Sequence, residues 1–64
     1  MSNRIKEIRI KKGITQKALA QAAGVSSPYL HDLEKEARGA KQETLENIAA
    51  ALGVTVDELI GKAG

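Results

Sequence analysis

The chain has 64 residues, no cysteine, one histidine and a formal net charge of +2. This length predicts one small domain over residues 1–64, whose core supplies only roughly 3–5 kcal/mol of net stability. The lack of cysteine excludes disulfides, thiolate metal sites and cysteine nucleophiles, and one histidine leaves carboxylates as almost the only ligands for a zinc ion. No apolar run approaches the roughly 20 residues of a membrane span, and the start lacks the apolar block of a signal peptide. We therefore expect a soluble, cytoplasmic protein that does not enter a membrane.

Positive charge is concentrated at the beginning of the chain. Residues 1–17 hold six Lys/Arg and one Glu, whereas residues 18–64 hold four Lys/Arg and seven acidic residues. A basic end of this kind is what a surface that meets phosphate requires. Solvated helix faces also carry Lys and Arg, so the charge pattern alone leaves both interpretations open.

The first helix is predicted to begin after an N-cap at Ser2 or Asn3 and to end near Lys12, because Gly13 follows. Its inward face carries isoleucines at i, i+3 spacing, Ile5 and Ile8. Ile10 falls off this face. It is either an exposed residue without further role or a contact to the chain's tail or a partner, and we favour the first alternative.

Two short helices with a tight turn between them follow. Thr15 is the predicted N-cap of a helix over 16–23, and Gly24 supplies the positive φ of the turn. The next helix begins at Ser26 or Ser27. Pro28 favours Ser27 as the N-cap, because proline suits the first helical position. Helix, tight turn and helix over about residues 16–35 predict a helix-turn-helix.

The rest of the chain is predicted to form a loop over 36–42 and two more helices. The first of these has an apolar stripe at i, i+3, i+4, i+7 and ends at Gly53. The stripe consists of Leu45, Ile48, Ala49 and Leu52. A capping box of Thr55 and Glu58 begins the last helix, which ends near Ile60. No strand is predicted, so the fold class is all-α.

The motifs of this chain, in their order and spacing, resemble the Cro and phage-repressor family, also called the xenobiotic-response-element family. They are IKEIR at 5–9, KGITQ at 12–16, LAQAAGVS at 19–26, YLHDLE at 29–34, ETLENIAAALGV at 43–54 and DELI at 57–60. The resemblance implies a compact five-helix lambda-repressor-like DNA-binding domain. Its second motif helix enters the major groove of DNA, usually in a two-fold dimer. Members commonly have an Asn-Pro-Ser cap before the fourth helix, whereas this chain has Ala40-Lys41 there.

The second motif helix carries the predicted base-reading residues. At 100° per residue, Leu30 and Leu33 point to the core, while an outward strip meets the base edges. The resemblance and this geometry together predict the readers Ser27, Pro28, His31 and Asp32. Because a carboxylate only accepts hydrogen bonds, the residue at 32 suits the amino group of cytosine and repels phosphate.

Phosphate contacts are predicted around this strip, at the N-terminus of the first motif helix and in the loop beyond the second. The candidates are Thr15, Gln16, Lys17, Lys35, Arg38 and Lys41. By resemblance, Arg9 and Glu34 pair across the first and third helices in a partly buried ion pair. By the same resemblance, the dimer surface involves Val56, Glu58 and their neighbours.

The predicted function is sequence-specific binding of double-stranded DNA by a homodimeric transcriptional regulator. We expect it to act as a repressor, with no cofactor and no small-molecule ligand. A protein-interaction module on the same fold, antirepressor or antitoxin-like, is the alternative, favoured by Asp32 and the acidic later part of the chain. A helical structural domain with a basic end for solubility is the third possibility. Catalysis is not predicted, because the neighbours His31 and Asp32 diverge by 100° on a helix and no nucleophile elbow, phosphate loop or metal spacing occurs.

Overall fold

The computed structural model describes residues 4–36 and 40–61, and within these residues the chain forms five helices and no strand. The helices are α1 (Ile5–Lys11), α2 (Gln16–Ala23), α3 (Ser27–Lys35), α4 (Gln42–Leu52) and α5 (Val56–Leu59). The predicted all-α class and the helix-turn-helix over about 16–35 are confirmed.

The start of α1 differs from the prediction. The N-cap is Arg4, whose side chain makes no capping hydrogen bond, and the predicted caps at Ser2 and Asn3 lie outside the described residues. The backbone N–H of Arg4 instead donates to the carbonyl oxygen of Leu59 at 2.7 Å. This long-range hydrogen bond connects the N-terminus of α1 to the last residue of α5. No local capping pattern in the sequence predicts it.

The junction between α1 and α2 follows its local signals. Gly13 has φ 72°, its N–H donates to Ile10 O at 3.0 Å, and the N–H of Ile14 donates to Arg9 O at 3.0 Å. These two bonds form a Schellman motif, which satisfies the carbonyl groups at the end of α1. Two residues later, Thr15 Oγ1 accepts from the N–H of Ala18 at 3.0 Å, so α2 begins where the sequence predicts.

The structure of the turn between α2 and α3 shows which of Ser26 and Ser27 is the N-cap of α3. Gly24 ends α2 with φ 73° and ψ 29°, in the left-handed region. Ser26 is the N-cap of α3, because its Oγ accepts from the N–H of Tyr29 at 3.2 Å. The preference for Ser27 was therefore wrong. Pro28 occupies the second helical position, where a missing N–H costs as little as at the first, since neither N–H has an intrahelical partner.

Each helix contributes one large, fully buried side chain to a common core. These side chains are Ile5, Leu19, Leu30, Ile48 and Leu59. Helix α2 packs against α3 and α4, α4 packs against α5, and α1 packs against α3. The buried Ala20 and Ala23 of α2 are small, which allows neighbouring helices to approach closely. The core thus holds α3 with one face inward and the opposite face exposed.

Helix α4 shows two departures from the sequence pattern. It begins at Gln42, which was assigned to the loop, and its N-cap Lys41 makes no side-chain capping bond, in keeping with the absent Asn-Pro-Ser cap. Leu45 is only half-buried, whereas Ile48, Ala49 and Leu52 are buried. The inward stripe therefore begins one turn later than predicted.

The capping box of α5 is present as predicted. The N–H of Glu58 donates to Thr55 Oγ1 at 3.1 Å, and the N–H of Thr55 donates to Glu58 Oε1 at 3.3 Å. Helix α5 ends at Leu59, with Ile60 as its C-cap. Among the helices of residues 4–36 and 40–61, none is long and apolar enough to cross a membrane.

Candidate nucleic-acid interface

The outward strip of α3 is polar and open to solvent. Leu30 and Leu33 are buried, and the side chains on the opposite face are exposed. The exposed set is Pro28, His31, Asp32 and Lys35. Ser27, at the N-terminal end of the strip, is half-buried. The predicted base readers therefore lie together on one face of α3, and all of them except the half-buried Ser27 are exposed in the part of the chain that the structure describes.

The N-terminus of α2 lies beside this strip. Gln16 of α2 contacts His31 of α3, which shows that the two elements meet at this edge. Thr15 and Lys17 are exposed and Gln16 is half-buried. The first N–H groups of a helix have no intrahelical partner, so this edge presents hydrogen-bond donors as well as positive charge.

The other phosphate candidates flank the end of α3. Lys35 is exposed in the last turn of α3, and Lys41 is exposed at the N-cap of α4. Arg38 lies outside the described residues. One lysine therefore precedes the loop after α3, and one lysine follows it.

Arg9 and Glu34 form a bidentate ion pair beneath the strip. Arg9 Nε donates to Glu34 Oε2 at 2.6 Å, and Nη2 donates to Oε1 at 3.3 Å. The third nitrogen, Nη1, donates to the carbonyl oxygen of Ile14 at 2.9 Å. The side chains are only 12% and 4% exposed, respectively. The side chain of Arg9 on α1 therefore contacts both α3 and the loop that precedes α2.

Gln16 extends this ion pair to the surface. Its Nε2 donates to Glu34 Oε1 at 3.1 Å and lies 3.4 Å from Nδ1 of His31. A continuous chain of polar contacts therefore runs from Arg9 through Glu34 and Gln16 to His31. Sequence reasoning assigned Gln16 to phosphate and missed these contacts, because residues 15 and 18 positions apart meet only through the crossing of α2 and α3.

The predicted dimer residues lie at the start of α5. Val56 is half-buried, and the neighbouring Ile60 is 40% exposed. Glu58 is exposed, and its carboxylate accepts the capping-box hydrogen bond from the N–H of Thr55. An open groove of about 430 Å³ lies between α1 and this region. Its lining is Arg4, Glu7, Ile8, Lys11, Lys12, Val54 and Glu58. In residues 4–36 and 40–61, no group of three or more His, Cys, Asp or Glu is placed to hold a metal ion.

A family model described as "Helix-turn-helix" matches residues 5–59, which include all five helices. The chain belongs to the helix-turn-helix family. The resemblance to Cro and the phage repressors is confirmed, since one relative is the immunity repressor protein of Bacillus phage phi105, 39% identical over 62 residues. That alignment covers 97% of this chain and 43% of the relative.

Other relatives and solved structures agree with this family. The HTH-type transcriptional regulator DdrOP3 of Deinococcus deserti is 38% identical over 60 residues, covering 94% of this chain and 46% of that protein. The biofilm regulator SinR of Bacillus subtilis in complex with DNA has a TM-score of 0.74 at 37% identity, covering 83% of this chain and 86% of that one. The restriction-modification controller protein C.AhdI of Aeromonas hydrophila has a TM-score of 0.80 at 29% identity, covering 86% of this chain and 83% of that one. The chain spans less than half the length of the Deinococcus and phage relatives.

Proposed function

We propose that this chain binds double-stranded DNA sequence-specifically as a cytoplasmic, homodimeric transcriptional regulator that acts as a repressor. The observation that carries the proposal is the exposed polar strip on α3, the second helix of a helix-turn-helix, beside the N-terminus of α2. In this architecture the second motif helix lies in the major groove and the first crosses the backbone. The similar protein SinR has been solved in complex with DNA, which supports DNA binding by this chain.

Base recognition is assigned to the strip itself. Its readers are Ser27, Pro28, His31 and Asp32. Asp32 only accepts hydrogen bonds, so its partner is an amino group, for which cytosine N4 is the usual choice of a carboxylate. Pro28 offers an apolar surface that suits the methyl group of thymine. The strip thus combines different chemistries rather than one repeated contact.

Phosphate binding is assigned to the groups that surround the strip. Thr15, Gln16 and Lys17 lie at the N-terminus of α2, Lys35 lies at the C-terminal end of the strip, and Arg38 and Lys41 follow it in sequence. Since the side-chain nitrogen of Gln16 already contacts Glu34 and His31, its backbone N–H is the group we assign to phosphate. Each charged contact adds about −0.9 to the slope of log affinity against log salt concentration.

Dimerisation is assigned to the region of Val56 and Glu58. The exposed Ile60 next to it supports this assignment, because a second copy of the chain would remove that apolar surface from water. A two-fold dimer places its two copies of α3 in successive major grooves, roughly 34–36 Å apart. The proposal requires no cofactor and no small-molecule ligand.

A protein-interaction module on the same fold is the second candidate. The exposed Asp32 favours it, because a carboxylate on the strip repels the phosphate backbone. In this alternative, the strip meets a partner protein instead of a groove.

A fluorescence-anisotropy titration with random-sequence duplex DNA, at about 50 and 200 mM salt, separates the two functions. The regulator binds the duplex, and its affinity falls steeply between the two salt concentrations. Selection from a random duplex library then yields a palindromic site with half-sites one turn apart. An interaction module, or a purely structural domain, gives no salt-sensitive binding, and that result would reject the proposal.

A further inference from the structure

We propose that Gln16 is a positioning residue that determines which ring nitrogen of His31 carries the proton. It holds Nδ1 of the imidazole as an acceptor, so that Nε2–H is the donor that α3 presents to DNA. The DNA-reading part of this inference rests on the proposed function, whereas the state of the imidazole ring does not.

The orientation of Glu34 is the first step. Both of its carboxylate oxygens accept from Arg9, and the guanidinium of Arg9 is in turn anchored to the carbonyl oxygen of Ile14. A bidentate guanidinium–carboxylate pair with almost no solvent exposure has little freedom to rotate. Glu34 Oε1 is therefore a fixed acceptor on the inner side of α3.

The orientation of the Gln16 amide is the second step. An amide group offers either its oxygen or its nitrogen to a neighbour, and the two are told apart by the hydrogen bonds that they make. Glu34 Oε1 only accepts, so the amide group facing it must be the donating nitrogen, which lies 3.1 Å away. The same nitrogen carries a second N–H and lies 3.4 Å from Nδ1 of His31.

The state of the His31 ring is the third step. A neutral imidazole has one protonated and one bare nitrogen, and a donor facing Nδ1 stabilises the form in which Nδ1 is bare. The proton then lies on Nε2. Because His31 is exposed on the outward strip, this N–H is available to an external acceptor.

The consequence is a defined base preference. A lone N–H donor in the major groove suits the acceptors N7 and O6 of guanine, N7 of adenine and O4 of thymine, and it has no complement in the N4 amino group of cytosine. The strip would thus present a donor at His31 next to an acceptor at Asp32. The buried ion pair, through Gln16, determines which of two opposite signals the histidine carries.

The test uses the single histidine of the chain, whose ring nitrogens give the only imidazole signals in a ¹⁵N NMR spectrum. Spectra of the protein without DNA, at about pH 8.5 where an ordinary imidazole is neutral, report which nitrogen carries the proton. In the wild type we expect Nε2 protonated and Nδ1 bare. In Gln16→Met, which keeps the length of the side chain but lacks donors, the shifts should move toward the mixed values of a free imidazole.

Two further variants complete the NMR test. In Gln16→Glu the new side chain cannot donate to Nδ1 and its carboxylate is repelled by Glu34, so the shifts should again move toward those of a free imidazole. Gln21→Met makes the same chemical change at an exposed position of α2 and should leave the imidazole shifts unchanged. Equal ¹⁵N shifts in the wild type and a folded Gln16→Met would overturn the proposal, whatever the protein binds.

Library selection tests the DNA part. His31→Ala identifies the base position that loses its preference, and at this position the wild type should select against cytosine. Gln16→Met should reduce this discrimination about three- to tenfold, which corresponds to one net hydrogen bond. Unaltered discrimination in Gln16→Met would overturn the recognition role of Gln16. If no variant binds DNA, the proposed function fails, and the NMR result alone decides the role of Gln16 in setting the His31 ring.

Discussion

At the scale of single residues, Arg9 makes the contact that joins α1 to α3. Its guanidinium satisfies Glu34 and the carbonyl oxygen of Ile14, and no buried side-chain nitrogen or oxygen among the described residues lacks a hydrogen-bond partner. Removing one member of a buried pair leaves the other charge without compensation in a poorly solvated site. Arg9 therefore supports both the packing of α1 on α3 and the polar chain that reaches His31.

Arg9→Ala should destabilise the protein by roughly 3–5 kcal/mol, comparable with the whole stability of a domain of this size. Urea denaturation followed by circular dichroism measures the loss. The double variant Arg9→Met, Glu34→Leu should recover part of it, because an apolar pair of similar volume avoids burial of an unpaired charge. An Arg9→Ala protein that unfolds at the wild-type urea concentration would contradict the buried pair.

The turn between α2 and α3 requires a positive φ at Gly24. Its φ of 73° lies in the left-handed region, and a Cβ added there would meet nothing within 4 Å. Gly24→Ala should therefore cost about 1–2 kcal/mol through backbone strain alone. Gly24→Asn should cost less, since asparagine tolerates this region better than alanine. Thermal unfolding of the two variants checks the order, and a larger loss in the asparagine variant would point to a steric cause instead.

At the scale of elements, α3 depends on its N-cap. Ser26 has an extended backbone and accepts from the N–H of Tyr29, whereas Ser27 already belongs to the first turn of the helix. The chain thus offers two adjacent serines, of which only one caps. The cap matters for function as well, because it fixes the end of α3 that we assign to base contacts.

Ser26→Ala should lower the free energy of unfolding by about 1 kcal/mol, because the N–H of Tyr29 loses its partner. Ser27→Ala removes the same hydroxyl one position later and should change stability by less than about 0.5 kcal/mol. Denaturant unfolding of both variants under identical conditions measures the difference. If Ser27→Ala proves the more destabilising, the register favoured by the proline rule holds in solution.

At the scale of the whole molecule, exposed lysines lie both at the proposed interface and away from it. Lys17 is exposed at the N-terminus of α2 beside the strip, while Lys11 lines the groove toward Val54 and Glu58. Two lysines of equal charge therefore lie in different parts of the surface, and only the first belongs to the proposed interface.

Lys17→Gln should reduce the salt slope of DNA binding by about 0.9 for each subunit, because one phosphate contact is lost. Lys11→Gln makes the same change in net charge and should leave the slope nearly unchanged. Anisotropy titrations at several salt concentrations give both slopes. Equal effects of the two substitutions would show that net charge, and no particular contact at Lys17, governs binding.

Much of the fold was predictable because its signals are local. Thr15 bonds to a backbone N–H three residues away, and Gly24 adopts a conformation that few other residues tolerate, so the bounds of α2 follow from the sequence. Helical periodicity also separates the inner from the outer face of α3. The exposed strip was therefore identifiable before its surroundings were known.

The tertiary structure decided what depends on residues far apart in the chain. It sets the start of α1 through the bond from Arg4 to Leu59, and it directs Gln16 toward Glu34 and His31 rather than outward. By itself the sequence determined the order of the five helices, the inner and outer faces of α3 and the family. The partners of the polar side chains between the helices were decided by how α1, α2 and α3 cross, because a hydrogen bond depends on distances of a few ångströms that no residue pattern encodes.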